Sequence, residues 1–169
     1  TATREATTPG GQRRIPLTGI RGMAAERLSR SRREIPEATV WVDVDATEFL
    51  EVRERINAVN PDQPVGILGL LSRFCVLGLR RFPELNSTVD TDRNEIVLHE
   101  RVNLGFAAQT TRGLMVPVIA DAGGRSAREL TGALAGMTAK ARDNRLSPAD
   151  LTGGTFTINN YGVLGVDGS

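Results

Sequence analysis

Residues 95–119 read EIVLHERVNLGFAAQTTRGLMVPVI, and this stretch decides the fold class. Short runs of Val, Ile, Leu and Phe are broken by Thr-Arg-Gly and closed by Asp121-Ala-Gly-Gly, the pattern of consecutive strands joined by tight turns. Just upstream, STVD and the turn TDRN supply a further strand folded back on EIVLHE. The spacing predicts a mainly antiparallel hairpin sheet. Working outward on the N-terminal side, residues 65–82 are apolar nearly all round, apart from Ser72, Arg73, Arg80 and Arg81. That predicts a central helix enclosed on most sides. Before it, Phe49, Val52 and Ile56 share one side of a helix from about Glu48 to Ala58, which Thr47 or Asp45 can cap. In ATVWVDVDA, residues 38–46, Val40, Val42 and Val44 alternate with Trp41, Asp43 and Asp45, a period of two that predicts a half-buried strand. From Gly19, the apolar Ile20, Met23, Ala24 and Leu28 recur at helical spacing, leaving Arg21, Arg27 and Arg30 exposed until Pro36 stops the helix.

On the C-terminal side, Ser126 and Glu129 match a capping box that opens a helix to about Arg145. Ser147-Pro148-Ala149-Asp150 starts another short helix, and TFTINN, residues 155–160, is a short strand before a Gly-rich loop. Residues 1–14 combine Thr, Pro, Gly and charge without apolar periodicity and read as a flexible linker. Thr1 is not an initiator Met, so the chain is expected to be a piece of a longer one. Helices and strands interleave without regular βαβ alternation, which gives an α+β class with helices flanking a mixed sheet.

Composition narrows the function. With 169 residues, 40% apolar, and 21 Lys+Arg against 20 Asp+Glu, the chain has material for one core and almost no net charge. Near-neutrality and 4% aromatic residues argue against nucleic-acid binding, which needs clustered cations and stacking rings. No apolar run approaches the ~20 residues that span a membrane. The lone Cys75 cannot form an internal disulfide, which fits a reducing, cytoplasmic compartment.

Few residues carry chemistry on spacing alone. His99 is the sole histidine and sits in a strand pattern that points it toward solvent, so its reading is a surface structural role. Without a second His or Cys at ligand spacing, no metal site is expected. Cys75 lies between Phe74 and Val76, which fits buried packing rather than an activated nucleophile. Gly10-Gly11, Gly123-Gly124 and Gly153-Gly154 read as turns, though the middle pair could also cradle a phosphate at a helix N-terminus. Arg27, Arg30, Arg32 and Arg33 make either a solvated helix face or an anion contact. Asn159 and Asn160 end a short strand before a Gly-rich turn, where their amides could donate to a developing oxyanion or cap the turn.

Several ordered blocks then match one family. From Arg14 to Ser169, IPLTGIRGMAAERLSRSRREIPEATVWVDVDATE, RFPELNSTVD, EIVLHERVNLGFAAQTTRGLMVPVI and LSPADLTGGTFTINNYGVLG resemble the catalytic domain of the dihydrolipoamide acyltransferases, the E2 components of 2-oxo acid dehydrogenase complexes. The resemblance implies a chloramphenicol-acetyltransferase-like fold, incomplete at the C-terminus, with 15–169 as the N-terminal part of the catalytic domain. It implies homo-trimers that build a larger core, E1 and E3 partners, and a swinging lipoyl domain upstream of the linker. In that family coenzyme A and lipoamide enter a channel from opposite ends and exchange an acyl group, with a His as general base and a hydroxyl stabilising the oxyanion.

Two departures follow. The family's catalytic His belongs to a His-x-x-x-Asp-Gly motif that does not occur in these 169 residues, and His99 matches a different strand position. Asn159 stands where most members carry the oxyanion-stabilising Ser, and an Asn amide can donate the same bond. Arg21 and Arg112 are the candidate coenzyme A contacts. DVDATEFLEVRERIN, LNSTVD and INNYGVLGVDGS look most like branched-chain members, ahead of pyruvate and 2-oxoglutarate members. The rival readings are a non-catalytic assembly core and a coenzyme-A-binding module without a lipoyl partner.

Overall fold

The computed structural model describes residues 15–35, 37–110 and 113–160, in two compact units that divide between Val42 and Asp43. The first unit holds helix α1 (Gly19–Glu34), which stops two residues before Pro36 as the sequence requires. Two ion pairs among its described residues are local, Arg30 to Glu34 at 3.2 Å and Arg32 to Glu37. The apolar face expected on α1 is not covered within this unit, since Met23 and Leu28 are both exposed.

The second unit contains α2 (Thr47–Val59), α3 (Ile67–Arg81) and α4 (Ala127–Arg142), with strands β1 (Ser87–Asp90), β2 (Glu95–Leu98), β3 (Leu104–Phe106), β4 (Ala108–Thr110), β5 (Gly113–Met115), β6 (Val118–Ile119) and β7 (Phe156–Ile158). Asp45 rather than Thr47 serves the start of α2, accepting from the Thr47 N–H at 2.9 Å and its hydroxyl at 2.6 Å. The turn from α2 to α3 is held by Asn57, which accepts from the Val65 N–H at 2.7 Å and donates to its carbonyl at 3.1 Å; Arg53 adds a second donor to that oxygen at 3.0 Å. Phe49 of α2 meets Phe74 of α3 with ring centroids 5.8 Å apart.

The core lies between α3, α4 and the β3-centred sheet: Val76, Leu79, Leu104, Phe106, Leu130 and Ile158 are all buried. Ser126 caps α4 with the reciprocal bonds expected of a capping box, its hydroxyl accepting from the Glu129 N–H at 3.2 Å and its own N–H donating to Glu129 Oε2 at 2.8 Å. The same motif recurs at Ser147 and Asp150 on a 3-10 turn, Pro148–Leu151.

Four expectations need correction. No strand forms over residues 38–46, where Val40, Trp41 and Val44 are 92%, 84% and 76% exposed. A period of two names the face that would be buried, but a strand needs a neighbouring edge to pair with, and among the described residues none pairs here. Helix α3 is amphipathic rather than enclosed, with Leu70, Ser72, Val76 and Leu79 buried and Ile67, Leu71, Phe74 and Leu77 exposed. Helix α4 ends at Arg142 rather than Arg145, because Asn144 turns left-handed (φ 55°) and the Arg145 N–H returns to the Lys140 carbonyl at 2.8 Å.

The fourth correction concerns the sheet. Among the described residues the strands form three separate sheets rather than one, β1 with β2, β4 with β5, and a mixed sheet in the order β6-β3-β7, while the pairing is mainly antiparallel as expected. In the mixed sheet β3 pairs antiparallel with β6 and parallel with β7, so the last strand of the described residues enters the sheet against the stretch that decides the fold.

Candidate functional site

The mixed sheet has two unlike faces. Leu104, Phe106 and Ile158 turn toward the helices and are buried, as the period of two demands of alternate residues. The opposite face carries Gly105, Thr157 and Val118, with Gly105 in register with both of the others. This face is tight. A β-carbon on Gly105 would lie 3.0 Å from Thr157 Oγ1 and 3.1 Å from Val116 Cγ1, and one on Gly154 would lie 3.2 Å from Val118 Cγ2.

Asn159 follows β7 directly. Ladder pairing sets Ile158 opposite Phe106, and the Ala107 N–H donates to the Ile158 carbonyl at 3.3 Å, so Asn159 leaves the strand beside the β3–β4 junction. Its side chain is exposed, and no hydrogen bond to its amide occurs among the described residues. An amide donor at the carboxyl end of a parallel strand can polarise a carbonyl that arrives from outside.

The other sequence candidates are placed differently. Arg21 is exposed on the first turn of α1 in the first unit, and Arg112 lies outside the described residues. His99 follows β2, partly exposed, with its Nε2 3.2 Å from the Thr88 hydroxyl. Its backbone is pinned from both sides by Asn86, whose carbonyl accepts from the His99 N–H at 2.9 Å and whose Nδ2 donates to the His99 carbonyl at 2.7 Å. Cys75 is half-buried against the core, and burial pushes its thiol above the ordinary range.

The Gly123-Gly124 pair is not an anion cradle. It lies in a 3-10 turn whose carbonyls face a cation: Arg73 donates to the Gly123 oxygen at 3.3 Å and the Arg125 oxygen at 3.2 Å. At the following helix start, Glu129 already supplies the carboxylate that the free N–H groups favour, and those bonds hold its carboxyl below the usual range. Among the described residues no group of three or more His, Cys, Asp or Glu is placed to hold a metal ion, and no helix is long and apolar enough to cross a membrane.

One organising residue escaped sequence reasoning. Asn103, just before β3, donates through Nδ2 to the Gly153 carbonyl at 2.8 Å and accepts at Oδ1 from the Asp121 N–H at 2.9 Å. Its backbone N–H donates to Thr155 Oγ1 at 3.0 Å and its carbonyl accepts from the Thr155 N–H at 2.9 Å. The available signal was an Asn between Val102 and Leu104, a residue type depleted in strands and therefore retained for its hydrogen bonds.

Comparison with known proteins places this geometry. The chain is 32% identical over 154 residues to the dihydrolipoyllysine-residue acetyltransferase component of the pyruvate dehydrogenase complex of Bacillus subtilis, covering 90% of this chain and 35% of that protein. It is 34% identical over 158 residues to the succinyltransferase component of the 2-oxoglutarate dehydrogenase complex of Pseudomonas aeruginosa, covering 91% and 38%. The lipoamide acyltransferase component of the branched-chain alpha-keto acid dehydrogenase complex of Pseudomonas putida is 31% identical, covering 94% and 39%. The chain thus spans between a third and two fifths of the length of these relatives.

Two solved structures agree in fold. A probable dihydrolipoamide acetyltransferase from Listeria monocytogenes superposes with a TM-score of 0.81 at 32% identity, over 94% of this chain and 68% of the other. The cubic core of a pyruvate dehydrogenase multienzyme complex does so with a TM-score of 0.81 at 29% identity, over 92% and 65%. The mixed helices and sheets are those of an acyltransferase catalytic core, as the chloramphenicol-acetyltransferase-like expectation required. Residues 9–169 match the family of 2-oxoacid dehydrogenases acyltransferase (catalytic domain), and the chain belongs to that family.

Proposed function

We propose that this chain is part of a transacylase that moves an acyl group between dihydrolipoamide and coenzyme A, with Asn159 as the oxyanion donor. The observation that carries the reading is the place of Asn159, directly after β7 and beside Ala107, with an exposed amide on the end of a strand held in fixed register. The coenzyme A thiol loses its proton to a base and attacks the thioester carbonyl of acyl-dihydrolipoamide. The carbonyl oxygen gains negative charge, which the Asn159 amide N–H stabilises. Collapse breaks the carbon–sulfur bond to the lipoyl group, and the departing sulfur takes up the proton. The base proposed for this step is a His of the family's His-x-x-x-Asp-Gly motif, a motif that does not occur in these 169 residues.

The two substrates are a thiol and a thioester: coenzyme A from solution, and the acyl group on dihydrolipoamide carried by a lipoyl domain. Arg21 is the described cation proposed for the coenzyme A phosphates, together with Arg112. The likeness to a cubic core supports a larger assembly, which is proposed to be built of homo-trimers and to work with E1 and E3 components. The stretches DVDATEFLEVRERIN and LNSTVD favour a branched-chain substrate. Relatives acting on pyruvate and 2-oxoglutarate stand at the same level of identity, and a methylene in an apolar pocket is worth only about 1–3 kcal/mol, so the acyl type is decided by assay.

The test uses the full-length, assembled protein with acetyl-, isobutyryl- and succinyl-coenzyme A and dihydrolipoamide. Asn159→Ala is expected to lower kcat by about 100-fold, the loss typical of one oxyanion donor, with KM for coenzyme A little changed. Wild-type kcat in Asn159→Ala overturns the assignment of Asn159. Preference for acetyl- or succinyl-coenzyme A over isobutyryl-coenzyme A overturns the branched-chain reading alone.

A further inference from the structure

We infer that Asn103 is a positioning residue for the transfer reaction: it fixes the register of β7 against β3 and thereby the place of Asn159. The inference rests on the oxyanion role proposed for Asn159. Strands β3 and β7 are three residues long, and a ladder that short does not define its own register well. A slip of one residue would turn Asn159 toward the core and Ile158 outward, because side chains alternate faces. A slip of two keeps the faces but moves Asn159 about 7 Å along the sheet. A donor to an oxyanion has to stay within about 0.5 Å of its working place.

Asn103 removes that freedom at the start of both strands. It stands one residue before β3 and faces Thr155, one residue before β7. The two residues exchange three bonds through the Asn103 backbone, which any residue but proline would keep: Asn103 N–H to Thr155 Oγ1 at 3.0 Å, and Thr155 N–H and hydroxyl to the Asn103 carbonyl at 2.9 and 3.4 Å; what is particular to Asn103 is its side chain. Its side chain then ties together the two turns flanking the sheet. Nδ2 donates to the carbonyl of Gly153, where φ is +76°, and Oδ1 accepts from the N–H of Asp121, where φ is +50°.

One group is thus used as donor and acceptor at once, on two left-handed residues that enter and leave the sheet. A carboxylate could accept from Asp121 but would confront the Gly153 carbonyl with negative charge, and an aliphatic side chain could do neither. Asn103 lies at the opposite end of the strands from Asn159, so it does not touch substrate. Its influence runs through the register alone.

The experiment is a double-mutant cycle in the full-length assembled protein, with Asn103→Ala, Asn159→Ala and the pair. Asn103→Ala is expected to lower kcat at least tenfold with KM for coenzyme A nearly unchanged, and to have no further effect when Asn159 is already Ala. An equal loss in both backgrounds marks general damage and overturns the inference. Asn103→Asp, close to isosteric and retaining the acceptor, covers the case in which the alanine variant does not fold; it too should lose kcat, and wild-type kcat in it overturns the inference.

Amide exchange of Ala107, whose N–H bonds to the Ile158 carbonyl, reads the register without catalysis. Its protection is expected to fall in Asn103→Asp, and full protection overturns the inference. If Asn159→Ala keeps wild-type kcat while Ala107 loses protection in Asn103→Asp, the oxyanion reading fails, the catalytic part of the inference goes with it, and the register role stands.

Discussion

A β-carbon on Gly69 of α3 would lie 2.0 Å from the Thr131 hydroxyl oxygen of α4, closer than any real side-chain contact. That hydroxyl is already occupied, accepting from the Gly66 N–H at 3.1 Å and donating to the Ala127 carbonyl at 2.8 Å. Gly69 therefore sets how closely the two helices under the sheet approach each other.

Gly69→Ala should destabilise the protein although alanine is the better helix former. Overpacking costs about 1–3 kcal/mol and outweighs a propensity gain of up to about 1 kcal/mol. Gly136→Ala, on the same α4 but with open space around the added carbon, should instead stabilise by roughly that propensity gain. Urea midpoints of the two variants should move in opposite directions.

Arg73 holds the turn before α4 by two charge-assisted bonds, to the Gly123 and Arg125 carbonyls. Arg73→Met should cost about 1–3 kcal/mol, since both carbonyls lose a charged donor. Arg73→Lys should recover only part of this, because both bonds leave one terminal nitrogen, Nη1, and the shorter lysine side chain does not carry its ammonium to that place. Coenzyme A affinity, measured by calorimetry, should be unchanged in both variants, and a marked loss would restore the anion-site reading of the Gly-Gly pair.

Asp150 accepts from the Ser147 N–H and hydroxyl and from Lys140 at 3.2 Å, and these bonds, those from Ser147 foremost, hold its carboxyl at about 2. Its folded value is depressed, so its contribution is fully present above the ordinary carboxylate value of 3.8 and is lost as pH falls toward 2. Melting temperatures taken from pH 5 to pH 2 should fall less steeply in Asp150→Asn than in the wild type. Parallel curves would show that the 3-10 cap does not contribute.

Cys75 should react slowly. Burial raises its thiol, so at pH 8 less thiolate is present than in the unfolded chain and access is restricted as well. Iodoacetamide labelling of native protein should run at least tenfold slower than in urea. Equal rates would mean that the α3 face packed on the core opens freely.

The parts of the fold that could be read from sequence are those specified locally. The capping box at Ser126, the stop before Pro36 and the TDRN hairpin all depend on residues a few positions apart, and each stands where the sequence put it. What could not be read depends on distant partners. Nothing near Val40 says whether another edge meets it, and nothing near Phe156 says that it pairs parallel with Leu104. The open face of α3 escapes the sequence for the same reason: Phe74 and Leu77 are apolar whether or not anything covers them. For the site, the family blocks pointed to Asn159, but the role of Asn103 in holding its strand needed coordinates, since its partners Asp121, Gly153 and Thr155 are remote in sequence.

The pairing of β3 with β7 also orders events during synthesis. Asn103 and Thr155 stand 52 residues apart. Strands β3 and β6 can pair once Ile119 has left the ribosome, whereas the parallel partner arrives only after the whole of α4. Until then the flank of β3 that β7 will occupy carries unsatisfied backbone groups, and Leu104 and Phe106 lack part of their cover. During that interval the open edge of β3 can pair with a strand of another chain.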